Sequence, residues 1–232
     1  MTILRVLCAR SMHKVVAQLA DGFAQESGHR TDLVFGTVGA LQARIDGGEI
    51  ADVVILAAGG IDRLARAGKL LDGTVPVART SIGLCVREGA PAPDIAAPAA
   101  FRQTLVDAPT IAFSDAKVGG SAGVHLAKLF DQLDLSDAIR QKGMPQQSGA
   151  EVATRVAEGS AAIGMTLMAE IVPIAGARIV GPLPAPLDND AIYVGAVMSG
   201  TSAPAAARVF LAALTAPATR PLWQSAGFDT AP

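Results

Sequence analysis

The chain has 232 residues, of which half are apolar and 4% aromatic, and its formal net charge is −2 at pH 7. This length can bury the core of one large domain or of two smaller ones. The near-neutral charge and the scarcity of aromatic side chains disfavour a nucleic-acid partner. The sequence contains no run of about 18 apolar residues, so no segment is predicted to insert into a membrane.

Two cysteines and the first residues of the chain bear on the compartment. Cys8 and Cys85 are expected to be buried free thiols, because neither belongs to a CxxC pair or lies near clustered histidines. No metal and no cofactor are predicted. Met1 leads at once into an apolar strand and not into the pattern of a signal peptide. We therefore expect a cytoplasmic protein if Met1 is the native start, and a periplasmic one if a signal peptide has been removed.

Short apolar runs alternate with amphipathic segments along the chain, which predicts an α/β protein with mainly parallel sheets. The segment 90–100 reads as a loop rich in Pro and Ala. The predicted strands are 3–8, 30–35, 51–56, 80–89, 110–115, 161–167, 177–184 and 191–198. The predicted helices are 12–25, 38–46, 61–67, one that begins near 121, 151–158, 204–214 and 218–225.

Hydrogen-bond donors stand at three of the junctions between a strand and the following helix. Arg10 and Ser11 follow the first strand, Thr37 occupies the N-cap position of the helix 38–46, and the residues 119–121 open the helix after the strand 110–115. Ligand sites of parallel sheets lie beyond the carboxyl ends of the strands, where helix N-termini present free N–H groups. Each junction alone is explained by helix capping, but together they predict a pocket for a small anion.

Three segments resemble the type II periplasmic solute-binding protein superfamily, in its molybdate-binding-protein-like form. They are "VLCARSMHKVVAQLADGFAQESGH", "VFGTVGALQARIDGGEIADVVIL" and "AEVATRVAEGSAAIGMTLMAEI", and the resemblance covers essentially the whole chain. It implies a two-lobed α/β fold, with mainly parallel sheets flanked by helices and two hinge crossings. Lobe one would be residues 1–80 plus 192–232 and lobe two residues 81–191, with a ligand cleft between them. Gly83 and Gly195 are the candidate hinge residues.

The resemblance also implies the ligand contacts. Ser11 and Thr37 match the hydroxyl-bearing residues of the first two segments, and two further contacts map onto the regions 119–121 and 148–149. The predicted ligand-binding residues are Arg10, Ser11, Met12, Thr37, Val38, Gly119, Gly120, Ser121, Ser148, Gly149 and Thr166.

Two departures from the molybdate-type pattern bear on the ligand. Thr166 and Leu167 stand where the oxyanion binders of the superfamily place a tyrosine, and Arg10 replaces a small residue beside Ser11. A guanidinium pairs bidentately with a planar carboxylate. The segments "FGTVGALQARI" and "IVGPLP" resemble a branch of the superfamily that includes aconitate isomerase.

The first functional prediction is a solute-binding protein of the ABC-transporter type, which holds a di- or tricarboxylate by helix N-termini, hydroxyls and an arginine. Its partner would be an ABC permease if the protein is exported. The alternative is an aconitate-isomerase-like enzyme, for which His13 and His125 are the candidate catalytic bases. Both histidines could also be capping or solvent-facing residues. Glu151 and Glu170 are further base candidates, and molybdate or another oxyanion is the third possible ligand.

Overall fold

The computed structural model describes residues 1–118 and 120–230. These residues form two compact units, one made of Met1–Arg79 together with the chain from Ile192 onward, and one made of Thr80–Ala191. Two strands, β4 (Leu70–Arg87) and β9 (Asp190–Met198), begin in one unit and end in the other. Within the described ranges, no helix has the length and apolar character that crossing a membrane requires.

The first unit alternates strands and helices. A 3-10 turn (Arg10–Met12) joins its first strand to its first helix. Its further elements are β1 (Ile3–Ala9), α1 (His13–Ser27), β2 (Arg30–Gly36), α2 (Val38–Asp46), β3 (Val53–Ala57), α3 (Ala58–Arg66), α9 (Pro204–Leu214), α10 (Arg220–Ser225) and β10 (Asp229–Thr230).

The strand order of the first unit brings three strand ends to one edge. β1 pairs in parallel with both β2 and β3, and β9 pairs antiparallel with β3. In this register Ala9 lies opposite Gly36, and Ala57 lies opposite Tyr193. The residues that follow β1, β2 and β3 therefore emerge beside one another at the carboxyl edge of the sheet.

The core of the first unit explains its strand sequences. β3 is buried along Val53–Leu56, because helices cover both faces of a parallel sheet, and such strands read as continuous apolar runs. α1 turns the stripe that contains Val16, Ala20 and Phe23 inward, and the ring of Phe23 packs edge-to-face on Phe210 of α9 at 5.1 Å. Burial of each such large side chain contributes about 1.5–3 kcal/mol.

The second unit contains the end of β4 and shorter elements. They are α4 (Pro98–Asp107), β5 (Ile111–Ser114), a 3-10 turn (Ala116–Val118), α5 (Ser121–Gln132), α6 (Ser136–Lys142), β6 (Gly143–Gln146), α7 (Gly149–Ala157), β7 (Ile163–Leu167), α8 (Met168–Ile171) and β8 (Ala177–Pro182). β5 pairs in parallel with β6 and β7. β4 pairs antiparallel with β7 and β8, so parallel pairing belongs to the strands that are joined through helices.

The observed elements depart from the predicted ones mainly where local signals are weak. β4 begins at Leu70, ten residues before the predicted start. The last three residues of the predicted Pro/Ala-rich loop, 98–100, belong to α4, a helix that was not predicted. Pro98 occupies the first turn of α4, a position where the missing N–H of proline costs nothing. The helix predicted from residue 12 begins at His13, because Arg10–Met12 form a 3-10 turn first.

The two cysteines and the two candidate hinge glycines lie in packed surroundings. Cys8 and Cys85 are buried free thiols, as predicted, and burial raises the pKa of Cys85 to about 12. A Cβ at Gly195 would overlap the side chain of Leu211, and one at Gly83 would lie 2.6 Å from Cγ of Met168. Both glycines therefore permit close packing, which is a different role from the predicted one of hinge flexibility.

Candidate functional site

The turn after β1 carries the first predicted contacts. Arg10 is exposed, and Ser11 donates a hydrogen bond from Oγ to Oη of Tyr193 at 2.7 Å. The side chain of Met12 is completely buried, so Met12 can offer a ligand only its backbone. Arg10 and Ser11 thus lie at the edge where the strands of the first unit end, and Met12 anchors their turn in the core.

Arg10 differs from Arg5, which lies within the strand that precedes it. Arg5, near the opposite end of β1, is paired with Asp32 and with Glu49, the latter at 2.8 Å. No carboxylate of the described residues forms an ion pair with Arg10. The Arg10 guanidinium is therefore available to an external anion.

Thr37 is the N-cap residue of α2, as predicted. Its Oγ1 accepts a hydrogen bond from the backbone N–H of Ala40 at 3.2 Å. The Thr37 hydroxyl proton remains able to donate, and the first N–H groups of α2, among them that of Val38, have no partner within the helix. The half-buried Val38 packs so closely on Gly60 that a Cβ there would lie 2.9 Å from Cγ1 of Val38.

His13 has a defined tautomer. Its Nδ1 lies 3.0 Å from the backbone oxygen of Arg10, and its ring meets that of Phe35 edge-to-face at 6.0 Å. Because a carbonyl oxygen can only accept, Nδ1 carries a proton, and in the neutral ring Nε2 is the nitrogen with the lone pair. The exposed imidazole therefore presents a basic nitrogen beside Arg10 and Ser11.

His125 is held differently. Its Nε2 lies 3.0 Å from the backbone oxygen of Leu187, and its Nδ1 lies 2.9 Å from Nδ2 of Asn189. Nε2 must donate to the carbonyl and Nδ1 must accept from the amide. Both ring nitrogens are thus engaged in fixing the segment 187–189 to α5, which is a structural role.

The N-terminus of α7 is capped from both sides. Ser148 accepts from the backbone N–H of Glu151 at 3.3 Å, and the carboxylate of Glu151 accepts from the backbone N–H of Gln147 at 3.0 Å. The Glu151 carboxylate thus binds the N–H of the residue before the N-cap, one position earlier than in a standard capping box. These capping contacts give Glu151 a structural role that does not require it to act as a base.

A buried hydroxyl network lies beside this helix start. Thr166 is completely buried, its Oγ1 lies 2.9 Å from Oγ of Ser114, and it donates to Oε2 of Glu170 at 2.9 Å. A Cβ on Gly149 would overlap Oγ1 of Thr166 and the carboxylate of Glu170. Gly149, Thr166 and Glu170 therefore form one packed cluster, in which Thr166 is engaged with protein groups.

The third predicted junction lies at the start of α5. Gly120 is the N-cap and has no side chain to accept a hydrogen bond, and Ser121 is the first helical residue. α5 packs closely on the preceding turn, because a Cβ at Gly123 would lie 2.6 Å from the backbone oxygen of Asp115. Gly119 lies outside the described residues.

The predicted residues thus fall into groups that are defined within each unit. Arg10, Ser11, Thr37 and Val38 share the carboxyl edge of the first unit, and Ser148, Gly149 and Thr166 lie together in the second. The prediction omitted Tyr193 and Ser114, and it considered Glu170 only as a base. Tyr193 is the one tyrosine of the chain, but only the pairing of β9 with β3 places it beside Ser11.

A cavity of about 630 Å³ lies elsewhere in the second unit. Its lining includes Pro91, Asp94, Thr104, Asp107 and Ile163, and it contains none of the predicted site residues. Within the described ranges, no cluster of three or more His, Cys, Asp or Glu side chains could hold a metal ion. The candidate site therefore consists of hydroxyls, backbone N–H groups and a few charged side chains.

The chain has two α/β units that share two strands, and hydrogen-bond donors stand where its parallel strands end. These features are typical of the class of two-lobed solute-binding proteins. The sequence model of one family, Bacterial extracellular solute-binding protein, matches residues 4–229, and the chain belongs to this family. The predicted superfamily and fold class are confirmed, and the fold is that of the solute-binding proteins of ABC transporters.

Individual relatives sharpen this assignment. The chain is 31% identical over 219 residues to an aconitate isomerase from Pseudomonas sp. The aligned region covers 90% of this chain and 81% of that protein. This similarity confirms the predicted branch.

Solved structures show the same fold at lower identity. The periplasmic molybdate-binding protein of Azotobacter vinelandii has a TM-score of 0.78 at 21% identity, and the match covers 99% of this chain and all of that one. The sulfate-binding protein of Mycobacterium tuberculosis H37Rv has a TM-score of 0.76 at 19% identity, over 98% of this chain and 86% of that one.

Proposed function

We propose that this protein binds a small polycarboxylate through donors at the carboxyl edge of the first unit. The observation that carries the proposal is the exposed Arg10, which has no ion-pair partner among the described carboxylates and lies beside Ser11 at the edge where β1 and β2 end. An unpaired guanidinium at a site of neutral donors favours a planar carboxylate over a point-like oxyanion.

The neutral donors supply the remaining contacts. The hydroxyl of Thr37 and the first N–H groups of α2 can donate to carboxylate oxygens without adding a positive charge. The partial positive charge at each helix start adds attraction for an anion. A ligand with two or three separate carboxylates can use several such positions at once.

Calorimetric titration of the protein with di- and tricarboxylates, molybdate, sulfate and phosphate tests the proposal. We expect a carboxylate to bind most tightly, and Arg10→Ala to weaken that binding by about 1.5–3 kcal/mol, a factor of roughly 10 to 150. Arg66→Ala is the matched control, because Arg66 is an exposed arginine in the last turn of α3. Equal affinity of the wild type and Arg10→Ala would contradict the assignment of Arg10, and failure of every carboxylate to bind would contradict the proposal.

A second candidate is isomerisation of an aconitate-like carboxylate. It is favoured by the 31% identity to an aconitate isomerase and by the basic Nε2 of His13. Nε2 would take a proton from the methylene carbon between a carboxylate and the double bond. The electron pair would delocalise over the allylic system and its carboxylate, and the proton would return at the far alkene carbon, which shifts the double bond.

Following cis- and trans-aconitate by NMR in D₂O with the protein tests this candidate. We expect interconversion with deuterium incorporation at the methylene carbon, and its loss in His13→Gln while ligand affinity is retained. His125→Gln is unsuitable as a control because His125 holds the segment 187–189, so His29→Gln, at the end of α1, serves instead. Binding of aconitate without any turnover or exchange would leave the binding function alone.

The partner and compartment depend on which function holds. A role in uptake requires an ABC permease and a location outside the cytoplasm, whereas isomerisation requires neither. Fractionation of cells that produce the protein from its native gene, followed by immunodetection in the periplasmic and cytoplasmic fractions, separates the two.

A further inference from the structure

We propose that Tyr193 sets the specificity of the candidate site: it takes the hydroxyl proton of Ser11, so that Ser11 accepts a hydrogen bond from the ligand and does not donate one. The ligands that fit this arrangement are carboxylates that also carry a hydroxyl group. This inference rests on the proposed function, because it takes Arg10 and Ser11 as part of the site that binds the carboxylate. All three residues belong to the first unit.

The hydroxyl of Tyr193 is held in a fixed position. Tyr193 lies opposite Ala57 in the pairing of β9 with β3, and its side chain is buried. Its ring meets that of Phe228 edge-to-face at 6.0 Å, and Phe228 packs in the same way on the completely buried Trp223 at 5.5 Å. Strand register and ring packing therefore fix Oη of Tyr193 at the carboxyl edge of β3.

The bond to Tyr193 uses the one side-chain proton that Ser11 has. A serine hydroxyl carries one proton and two lone pairs. The distance of 2.7 Å between Oγ of Ser11 and Oη of Tyr193 is the usual length of a hydrogen bond between hydroxyls. Ser11 is half-buried, so a ligand at this edge of the sheet can reach its oxygen. The hydroxyl that the sequence predicts as a donor is therefore an acceptor.

Arg10 and Ser11 consequently offer opposite chemistry at adjacent positions. The guanidinium of the exposed Arg10 can only donate, and the oxygen of Ser11 can only accept while Tyr193 holds its proton. Fully deprotonated sulfate and molybdate present acceptor oxygens alone, so they gain no hydrogen bond from Ser11. A hydroxycarboxylate can direct its carboxylate to Arg10 and its hydroxyl proton to Ser11.

Two pairs of ligands test the inference, because malate differs from succinate, and citrate from tricarballylate, by a single hydroxyl group. In calorimetric titrations of the full chain we expect the hydroxylated member of the pair that binds to bind about three- to tenfold more tightly, the range of a hydrogen bond between neutral groups. Ser11→Ala should abolish this preference, because it removes the acceptor.

Tyr193→Phe keeps the ring and frees the proton of Ser11. This variant should bring the two members of the pair toward equal affinity, and it should strengthen the binding of sulfate and molybdate by a similar factor, because Ser11 can then donate to them. The gain in oxyanion affinity depends on the freed proton of Ser11. It should therefore be absent from the double variant Ser11→Ala/Tyr193→Phe, which a merely structural role of Tyr193 would not require.

Ser27→Ala is the matched control. Ser27, the last residue of α1, also donates its hydroxyl at 2.7 Å, to the backbone oxygen of Phe23. The 15 residues of α1 place Ser27 roughly 20 Å from the turn that carries Ser11. Ser27→Ala should retain the wild-type selectivity.

Wild-type protein that binds the hydroxylated and the plain carboxylate equally overturns the inference and leaves carboxylate binding intact. A preference that survives in Ser11→Ala, unchanged selectivity in folded Tyr193→Phe, or an oxyanion gain that persists in the double variant also overturns it. Wild-type protein that binds none of the four carboxylates overturns the proposed function itself. The titrations of the wild type and of Ser11→Ala do not depend on whether Tyr193→Phe folds, and its thermal unfolding curve reports that separately.

Discussion

The two units place chemically opposite groups at the same topological position. At the carboxyl edge of β1 and β2 the first unit presents an exposed arginine, the basic nitrogen of His13 and the hydroxyl of Thr37. At the corresponding edge of β5 and β7 the second unit presents two buried hydroxyls that are bonded to each other, and one of them, that of Thr166, donates to Glu170.

This difference shows that position in the fold does not by itself define a donor. Thr37 and Thr166 were both predicted as ligand contacts, and both carry a hydroxyl near a helix start. Thr37 caps α2 by accepting a hydrogen bond, whereas Thr166 gives its proton to Glu170. The polar group beside each hydroxyl therefore decides whether its proton is already used within the protein, as it is at Thr166 and at Ser11.

Gly149→Ala should have the largest effect on stability. The new Cβ must displace the Glu170 carboxylate and Thr166, so we expect the free energy of unfolding to fall by about 1–3 kcal/mol, as for overpacking of a tight site. Gly39→Ala is the control at a helix start in the first unit, where no atom lies within 4 Å of the added Cβ; it should stabilise by about 0.4–1 kcal/mol. Urea unfolding of both variants checks the contrast, and equal effects would contradict it.

Ser11→Ala and Ser114→Ala test the two hydroxyl pairs. Each substitution removes one hydrogen bond, to Tyr193 or to Thr166, and should lower the free energy of unfolding by about 0.5–1.5 kcal/mol. Only Ser11→Ala should also weaken carboxylate binding directly, because Ser11 adjoins Arg10. Thermal unfolding and calorimetry on the same samples separate these effects. Equally weakened binding in both variants would contradict the prediction that only Ser11 contacts the ligand.

The smallest effect is expected in the dependence of the melting temperature on acid pH. It should distinguish Arg5, which is paired with carboxylates, from Arg10, which is not. Hydrogen bonds from Arg44 and then from Arg5 lower the pKa of Glu49 below its usual value. Since the folded-state pKa is lowered, the contribution to stability is complete above the ordinary glutamate pKa, about 4.3, and is lost as the pH falls through the lowered value. Glu49→Gln should remove this part of the acid dependence of the melting temperature, whereas Arg10→Ala should leave it unchanged.

The bounds of a helix were predicted correctly where an N-cap residue or a first-turn proline precedes an apolar stripe. The helices Val38–Asp46 and Pro204–Leu214 have the predicted bounds, because Thr37 satisfies an N–H of the first and Pro204 stands in the first turn of the second. The short helices α6 and α8 escaped prediction, since seven and four residues are too few to display a period.

By itself, the amino-acid sequence determined the alternation of strands and helices, the cap at Thr37, and the family to which the chain belongs. These depend on contacts a few residues apart and on recurring segments. Tertiary structure alone decided that Ser11 meets Tyr193, 182 positions away, that Ser114 meets Thr166, 52 positions away, and that Glu170 lies against Gly149. Strand register fixes such contacts, and register is set by how whole sheets bury their faces.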